Sequence, residues 1–413
     1  MSHPAMLHPE MLPPPAAAPA DSHRRALIGI AWKLAALATT GPAIVVGMSA
    51  CGSGDGSANA APTPNPQALG RAVVLTSALS SPWGMAFLPD GRMLVTQRRG
   101  ALVIVSANGS TVSSPLSGVP AVGSVDEEGG LLDVAIDPDF ETDPWVYWTY
   151  SEAGRDGSGT AVARGRLSGT ALTNVQVIFR QLPNVSGKAN FGSRLVFRSD
   201  KTLFVTLGER EEWSPAQDLT THLGKVVRIQ RDGSVPTGNP NLGVTARPEL
   251  WSFGYRNPQG AALHPTTGEL WLVDHGPQGG DELNRVMPGG NYGWPIKSYG
   301  CSYGAPIGTA CRIGGGTHAP TYIEPVSHWV PRSIAPSGLV FYTGAGFPEW
   351  QGNAFLGALA GTALWRVELS GATEVSRERL FANLGERIRC VRQGPDGWLY
   401  LLTDSGKLIR IER

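Results

Sequence analysis

Residues 82–97 read "PWGMAFLPDGRMLVTQ", two apolar runs on either side of Leu-Pro-Asp-Gly. Proline presets φ for a turn and glycine accepts the conformation that closes it, so the stretch predicts a β-hairpin. One hairpin cannot bury both its faces. The pattern returns as "LLDVAIDPDFETDPWVYWTY" from 131, "SRLVFRSDKTLFVTLGE" from 193 and "PQGAALHPTTGELWLVDHG" from 258. Two more copies follow, "SGLVFYTGAGFPEWQGNAFLGAL" from 337 and "IRCVRQGPDGWLYLLTD" from 388. Hairpins repeated at intervals of roughly 50 to 80 residues predict blades around an axis. The expected fold is therefore all-β, a six-bladed β-propeller over residues 71–413. The strands "RAVVLTS" from 71 and "KLIRIE" from 407 stand at opposite ends of the chain and are placed to share one blade. A pair of β-sandwich domains is the other architecture for such strands. It would need a linker, and none divides residues 71–413.

Composition agrees with a turn-rich globular chain. With 53 glycines and 33 prolines in 413 residues a helical bundle is excluded, while 41% hydrophobic residues supply a core. Lysine plus arginine equals aspartate plus glutamate at 34 each, so no overall field draws the chain to nucleic acid or to an anionic membrane. A charged ligand must be held by a local cluster.

The first residues follow another logic. Arg24, Arg25 and Lys33 precede the apolar run "LAALATTGPAIVVGMSAC" (34–51), so residues 1–50 read as an export signal. Thr39, Thr40, Gly41 and Pro42 interrupt the run for a transmembrane helix. "MSAC" resembles the lipobox of bacterial lipoproteins, in which the cysteine, here Cys51, becomes the acylated first residue. An uncleaved anchor and a plain signal peptide are the alternatives. Residues 51–70, Pro-rich and polar, read as a flexible tether. The expected location is the periplasm or cell envelope, with the membrane reached only through the lipid. Cys301 and Cys311 could close "CSYGAPIGTAC" as a disulfide in such a compartment, or remain two free thiols. Cys390 stands alone.

Several loops between the hairpins are more specific than the hairpins: "EEGGLLDVAIDPDF", "FGSRLVF", "AQDLTTHLGKVVRI", "FGYRNPQG", "DHGPQGGDELNRVMPGGNYGWP" and "RIRCVRQGPDG". Together and in this order they resemble the soluble aldose sugar dehydrogenases and the related soluble quinoprotein glucose dehydrogenases, over about residues 71–413. The resemblance implies a six-bladed propeller that carries pyrroloquinoline quinone (PQQ) and calcium. It also implies oxidation of aldose sugars, or related aldehydes or alcohols, by hydride transfer to the quinone, with electrons passing on to an acceptor that the sequence does not identify.

The same resemblance assigns roles by position. PQQ carries three carboxylates, which arginine's planar fork suits, and Arg256, Asn257, Arg387 and Arg389 match the family's cofactor contacts. Arg387 and Arg389, at i and i+2 on a strand, point to one face. Solvated, paired surface charges are the plainer reading of those two. Carbonyls of Gly276 and Pro277 match the holders of the calcium that polarises the quinone. Glu282, and Tyr292 through its carbonyl, match a second, structural ion, although Glu282 could equally cap a loop. Arg194 either stacks or pairs beneath the site, or is satisfied by a neighbouring carboxylate.

The base position departs from the family. Where its members carry the histidine that takes the proton from the sugar hydroxyl, this chain has Asn190, whose amide has no basic site near neutral pH. Glu128 replaces a glutamine, Ala360 a cofactor-binding lysine, and Cys390 an aspartate. One cation and the base are gone, and a carboxylate is gained. Two readings follow. In one, the enzyme persists with Glu128 as the replacement base, its pKa raised by partial burial. In the other, a catalytically lost propeller binds a ligand or a surface partner in the same pocket.

Overall fold

The computed structural model describes residues 70–413. The signal segment, Cys51 and the tether as far as residue 69 lie outside the described residues. Among those described, no helix is long and apolar enough to cross a membrane.

Six antiparallel sheets form the expected propeller. The first blade is β2 (Pro82–Phe87), β3 (Met93–Gln97) and β4 (Ala101–Val105). The second is β5 (Leu131–Ile136), β6 (Trp145–Gly154), β7 (Gly157–Ser168) and β8 (Ala171–Arg180). Blade three holds β9 (Gly192–Phe197), β10 (Leu203–Leu207), β11 (Lys225–Ile229) and β12 (Leu250–Phe253). Blade four holds β13 (Pro258–Leu263), β14 (Leu270–Asp274), β15 (Asp281–Arg285) and β16 (Ser327–Trp329). Blade five is β17 (Pro336–Phe341), β18 (Ala354–Ala358), β19 (Ala363–Ser370) and β20 (Thr373–Leu380). The last blade joins the two ends of the described chain: β21 (Ile388–Gln393), β22 (Leu399–Thr403) and β23 (Leu408–Glu412) are completed by β1 (Arg71–Thr76). β1 pairs with β23 from Arg71↔Glu412 to Val74↔Ile409, which closes the ring as the sequence predicts.

Each blade shares an apolar interface with the next. Leu94 and Leu102 meet Val134 and Trp148 between the first two blades, and Met85 and Val95 meet Leu402 and Leu408 where the last blade meets the first. The sheets thus bury by stacking what no single hairpin could.

The innermost strands β2, β5, β9, β13, β17 and β21 line the axis, which is filled rather than open. Arg194 of β9 is fully buried there. Its guanidinium donates to Asp133 Oδ1 (2.8 Å), to the Gln259 carbonyl (2.6 Å) and to the Arg389 carbonyl (2.9 Å), and lies 4.1 Å from the Trp83 ring centroid. Asp133 Oδ2 accepts the Leu195 N–H (3.0 Å), and Arg392 approaches it at 3.4 Å. Both alternatives offered for Arg194 by the sequence are therefore realised. Gly84 of β2 packs so closely on Asp133 that a Cβ would stand 2.6 Å from the carboxylate, which requires glycine there.

Removing one partner of a buried ion pair strands the other charge, at a cost of about 3–5 kcal/mol. Urea unfolding followed by tryptophan fluorescence should show a loss of that size for Asp133→Ala, and an unchanged midpoint would mean that the axis tolerates an unpaired guanidinium.

Candidate functional site

In an antiparallel hairpin the start of the first strand and the end of the second lie side by side, so the six inner hairpins present these positions at one end of the ring. Arg98 follows β3, Glu128 precedes β5, Asn190 precedes β9 and Glu209 follows β10. Arg256 and Asn257 precede β13, Gly276 follows β14, Ala360 follows β18, Arg387 precedes β21 and Asp404 follows β22. Positions hundreds of residues apart are gathered there.

Asn190 is 4% exposed and adopts the left-handed conformation (φ 54°), which asparagine and histidine accept more readily than most residues. Its side-chain Nδ2 donates to Glu209 Oε1 (2.6 Å), and its backbone N–H to Glu128 Oε2 (2.9 Å). The other oxygen of Glu209 accepts the Trp213 N–H at 2.6 Å. Glu209 is wholly buried, and burial raises its pKa above the ordinary carboxylate value, outweighing the lowering by Trp213 N–H, Arg256 and Asn190. Next in the chain, buried Arg210 donates to the carbonyls of Ser158 (2.8 Å), Gly187 and Ala189 (2.9 Å) and stacks 3.6 Å from the Phe191 ring centroid. The loop carrying Asn190 is thus held from beneath by two consecutive residues leaving β10. Glu128, expected to be partly buried, is exposed. Its loop is tied to the Asn190 segment by two bonds, the Glu128 N–H to the Lys188 carbonyl (3.1 Å) and the Asn190 N–H to the Glu128 carboxylate, which leave the side chain open to solvent.

Besides Arg210, the guanidiniums of Arg98, Arg256, Arg387 and Arg389 stand at this end, with unequal claims on partners. Arg389 is forked onto Asp404 (2.9 and 3.0 Å) and donates to Gln259 Oε1 (2.8 Å). Arg387, exposed, shares the same Asp404 (2.9 Å). These two do converge on one partner, as their spacing predicts, and a protein carboxylate already occupies them. Arg256 instead donates to the Gly276 carbonyl (3.2 Å) and the Tyr303 hydroxyl (3.4 Å), with its buried Nε unpartnered. Arg98 feels the charges of Arg389, Asp404 and Glu128, and its buried Nε also has no partner. Among the described residues neither Arg98 nor Arg256 makes an ion pair with a carboxylate of the chain. Asn257 is a staple rather than an open contact. Its Oδ1 accepts the Gly192 N–H (3.0 Å), its Nδ2 lies 3.4 Å from His275 Nδ1, and its N–H donates to Asp274 (2.6 Å).

Beside Arg256 lies a small cavity, with room for little more than a single water or ion, lined by Asp274, Gly276, Gly280, Glu282, Tyr292 and Trp294 among others. Burial lifts the Asp274 carboxyl to about 7, and burial together with neighbouring Asp274 pushes Glu282 well up. Gly276 packs against the carbonyls of Gly279 and Gly280, where a side chain would not fit. Three of the four expected metal ligands, Gly276, Glu282 and Tyr292, line this one cavity, and Pro277 does not. Two buried carboxylates around one cavity, with an unpartnered Asn284 Oδ1 on the same strand as Glu282, are the donor set a hard divalent cation takes. No group of three histidine, cysteine or acidic side chains suited to a metal occurs among the described residues, so carbonyls would have to complete such a site.

Cys301 and Cys311 form a disulfide with Cα atoms 5.1 Å apart. Cys390 is a free thiol fully buried between the last and first blades. Ala360 is exposed at the rim. Arg98, Glu209, Arg210 and Asp404 were not singled out from the sequence. The dense charge of "GEREEW" directly after an inner hairpin was the signal that could have revealed two of them.

A family model described as "Glucose / Sorbosone dehydrogenase" matches residues 79–410. Aldose sugar dehydrogenase YliI of Escherichia coli is 44% identical over 347 residues, 82% of this chain and 91% of that protein. A solved glucose dehydrogenase superposes with a TM-score of 0.79 at 44% identity, covering 83% of this chain and 99% of the other. The PQQ-bound aldose sugar dehydrogenase of Streptomyces coelicolor is similar at 28% identity and a TM-score of 0.66, over 84% and 99% of the two chains.

The buried carboxylate behind Asn190 has a thermodynamic signature. Glu209 binds its proton more tightly folded than unfolded, so its contribution to stability is complete below the unfolded value near 4.5 and is lost as pH rises through the folded value. Glu209→Gln removes that loss, since the Asn190 amide can turn to meet the new side chain. The thermal midpoint of the variant should fall less with rising pH than that of wild type, and parallel curves would refute the raised pKa.

Proposed function

This chain belongs to the glucose/sorbosone dehydrogenase family, and we propose that it oxidises an aldose sugar, or a related aldehyde or alcohol, with PQQ as cofactor and calcium beside it. The observation that carries this reading is the pair of guanidiniums, Arg98 and Arg256, whose buried Nε atoms have no partner in a site ringed by every hairpin. Unpaired buried donors of this kind call for an anionic ligand. When bound, PQQ supplies an acceptor for the hydride leaving the sugar carbon, and calcium polarises it.

The residues of this chain then divide the work. Arg256 and Arg98 hold carboxylates of the cofactor, with Arg387 and Arg389 contributing the charge that Asp404 leaves uncancelled. Gly276 offers its carbonyl, and Glu282 and Asp274 their carboxylates, to calcium. The bound ion would relieve the repulsion between the two buried acids. The proton of the reacting hydroxyl goes to Glu128, whose exposed carboxylate sits within 2.9 Å of the Asn190 N–H at the rim. Glu209, enclosed behind Asn190, has no path to the substrate. One feature favours the second reading, a ligand-binding propeller without turnover: the amide at position 190 is fixed to Glu209 and cannot accept a proton.

Titration with PQQ in calcium, followed by visible absorbance, tests cofactor binding. Arg256→Ala and Arg98→Ala should each weaken affinity by about 1.5–3 kcal/mol, the worth of a charge-assisted contact. Arg387→Ala should weaken it less, because Asp404 already engages that side chain, and Ala360→Lys should tighten it. Failure of wild type to bind PQQ would contradict the proposal. Aldose-dependent loss of the oxidised quinone band tests turnover, and Glu128→Gln should abolish it.

A further inference from the structure

Trp213 follows the acidic turn after β10 with φ 61° and ψ −80°, close to a strained γ-turn conformation that a bulky residue rarely adopts. Such a backbone persists only where its surroundings impose it. Here the Trp213 N–H is tied to buried Glu209 Oε2 at 2.6 Å, so the carboxylate behind Asn190 also sets the position of the tryptophan. The indole leans on Trp294, with ring centroids 5.0 Å apart and planes at 46°. Trp294 lines the cavity beside Arg256, and the Arg256 guanidinium lies 5.6 Å from its ring centroid. Across the same guanidinium, 5.9 Å away, stands the ring of Tyr303 on the disulfide-closed loop.

Trp294 is buried, but the rings of Trp213 and Tyr303 are not spent on the core. Trp213 is 39% exposed and Tyr303 67% exposed, next to the cationic mouth of the site. A rigid, half-open indole beside a polar cleft offers an apolar face with few conformations to lose on binding. The C–H face of a pyranose ring, flanked by hydroxyls that seek polar partners, is the complementary surface.

We propose that Trp213, positioned by Glu209, is a specificity-determining wall of the substrate site that stacks on the pyranose ring of an aldose. The inference rests on the aldose-oxidising reading above and narrows it: the chain favours ring-closed sugars over short open-chain aldehydes, which reach the same reacting position without covering the indole.

The test uses the full described chain loaded with PQQ and calcium, with D-glucose and D-glyceraldehyde as probes, in wild type, Trp213→Ala and Trp213→Phe. KM values report on turnover, and calorimetric titration of each probe reports on binding without it. For Trp213→Ala the ratio of glucose to glyceraldehyde KM, and of the corresponding Kd values, should rise about two- to tenfold, the range of one aromatic face contact. Trp213→Phe should recover most of the difference. An unchanged ratio, or a phenylalanine variant as impaired as alanine, overturns the wall. Absence of turnover in all three proteins defeats the aldose-oxidising reading, while the calorimetric ratio still decides the wall. Wild-type protein that gives no binding heat with glucose overturns it.

Discussion

A guanidinium enclosed where six strands converge must have every donor satisfied, and that demand on Arg194 shapes the ring around it. Its partners come from the second blade through Asp133, the fourth through the Gln259 carbonyl, the last through the Arg389 carbonyl and the first through Trp83. The first, second, fourth and last blades cannot shift along the axis relative to the third without disturbing one of these contacts. The plug also reaches upward. Gln259 gives its carbonyl to Arg194 and its side chain to Arg389, and Arg389 gives its carbonyl to Arg194 and its guanidinium to Asp404 at the site. The rim charges are therefore set in place by the axis, a form of preorganisation that costs nothing when ligand arrives.

A second fixed point lies two residues beyond β10. Glu209 divides its two oxygens between Asn190 and Trp213, the base position and the exposed aromatic wall. Arg210 then holds the loop on which Asn190 rides. Where a histidine would pass a proton toward such a carboxylate, asparagine makes only a neutral contact. On the proposed reading the support for a base remains while position 190 supplies none, and exposed Glu128 is the carboxylate beside it that solvent and substrate can reach.

The fold was legible because its signals are local. A Pro-Asp-Gly turn between alternating apolar runs is read within sixteen residues, and six repetitions leave few architectures. Closure by β1 was legible for the same reason, since two unpaired strands at the two ends need each other. The site was legible only in part. "RNPQG" and "HGPQGGDELN" mark the neighbourhood of Arg256 and Gly276 by their own sequence. The partner that occupies Arg387 and Arg389 lies fifteen residues or more away at Asp404, and Arg389 and Asp404, whose charges act on Arg98, are close to three hundred residues from it, so no spacing rule reaches them. Burial was misjudged at Glu128 because a glycine-flanked rim loop looks the same in sequence whether it folds in or out. Backbone strain at Trp213 has no sequence signature, since its cause is a hydrogen bond to a carboxylate that burial alone makes important.

On the proposed reading the scaffold is intact around a position 190 that no longer supplies a base. Single-turnover reduction of bound PQQ by an aldose, followed by stopped-flow absorbance in wild type and Asn190→His, tests it directly. A histidine fits the left-handed backbone at 190 and meets Glu209 as its orienting partner. The account predicts quinone reduction at least about tenfold faster in the variant, at the modest end of what a positioned base contributes. Equal rates in the two proteins, or none in either with PQQ demonstrably bound, would contradict it.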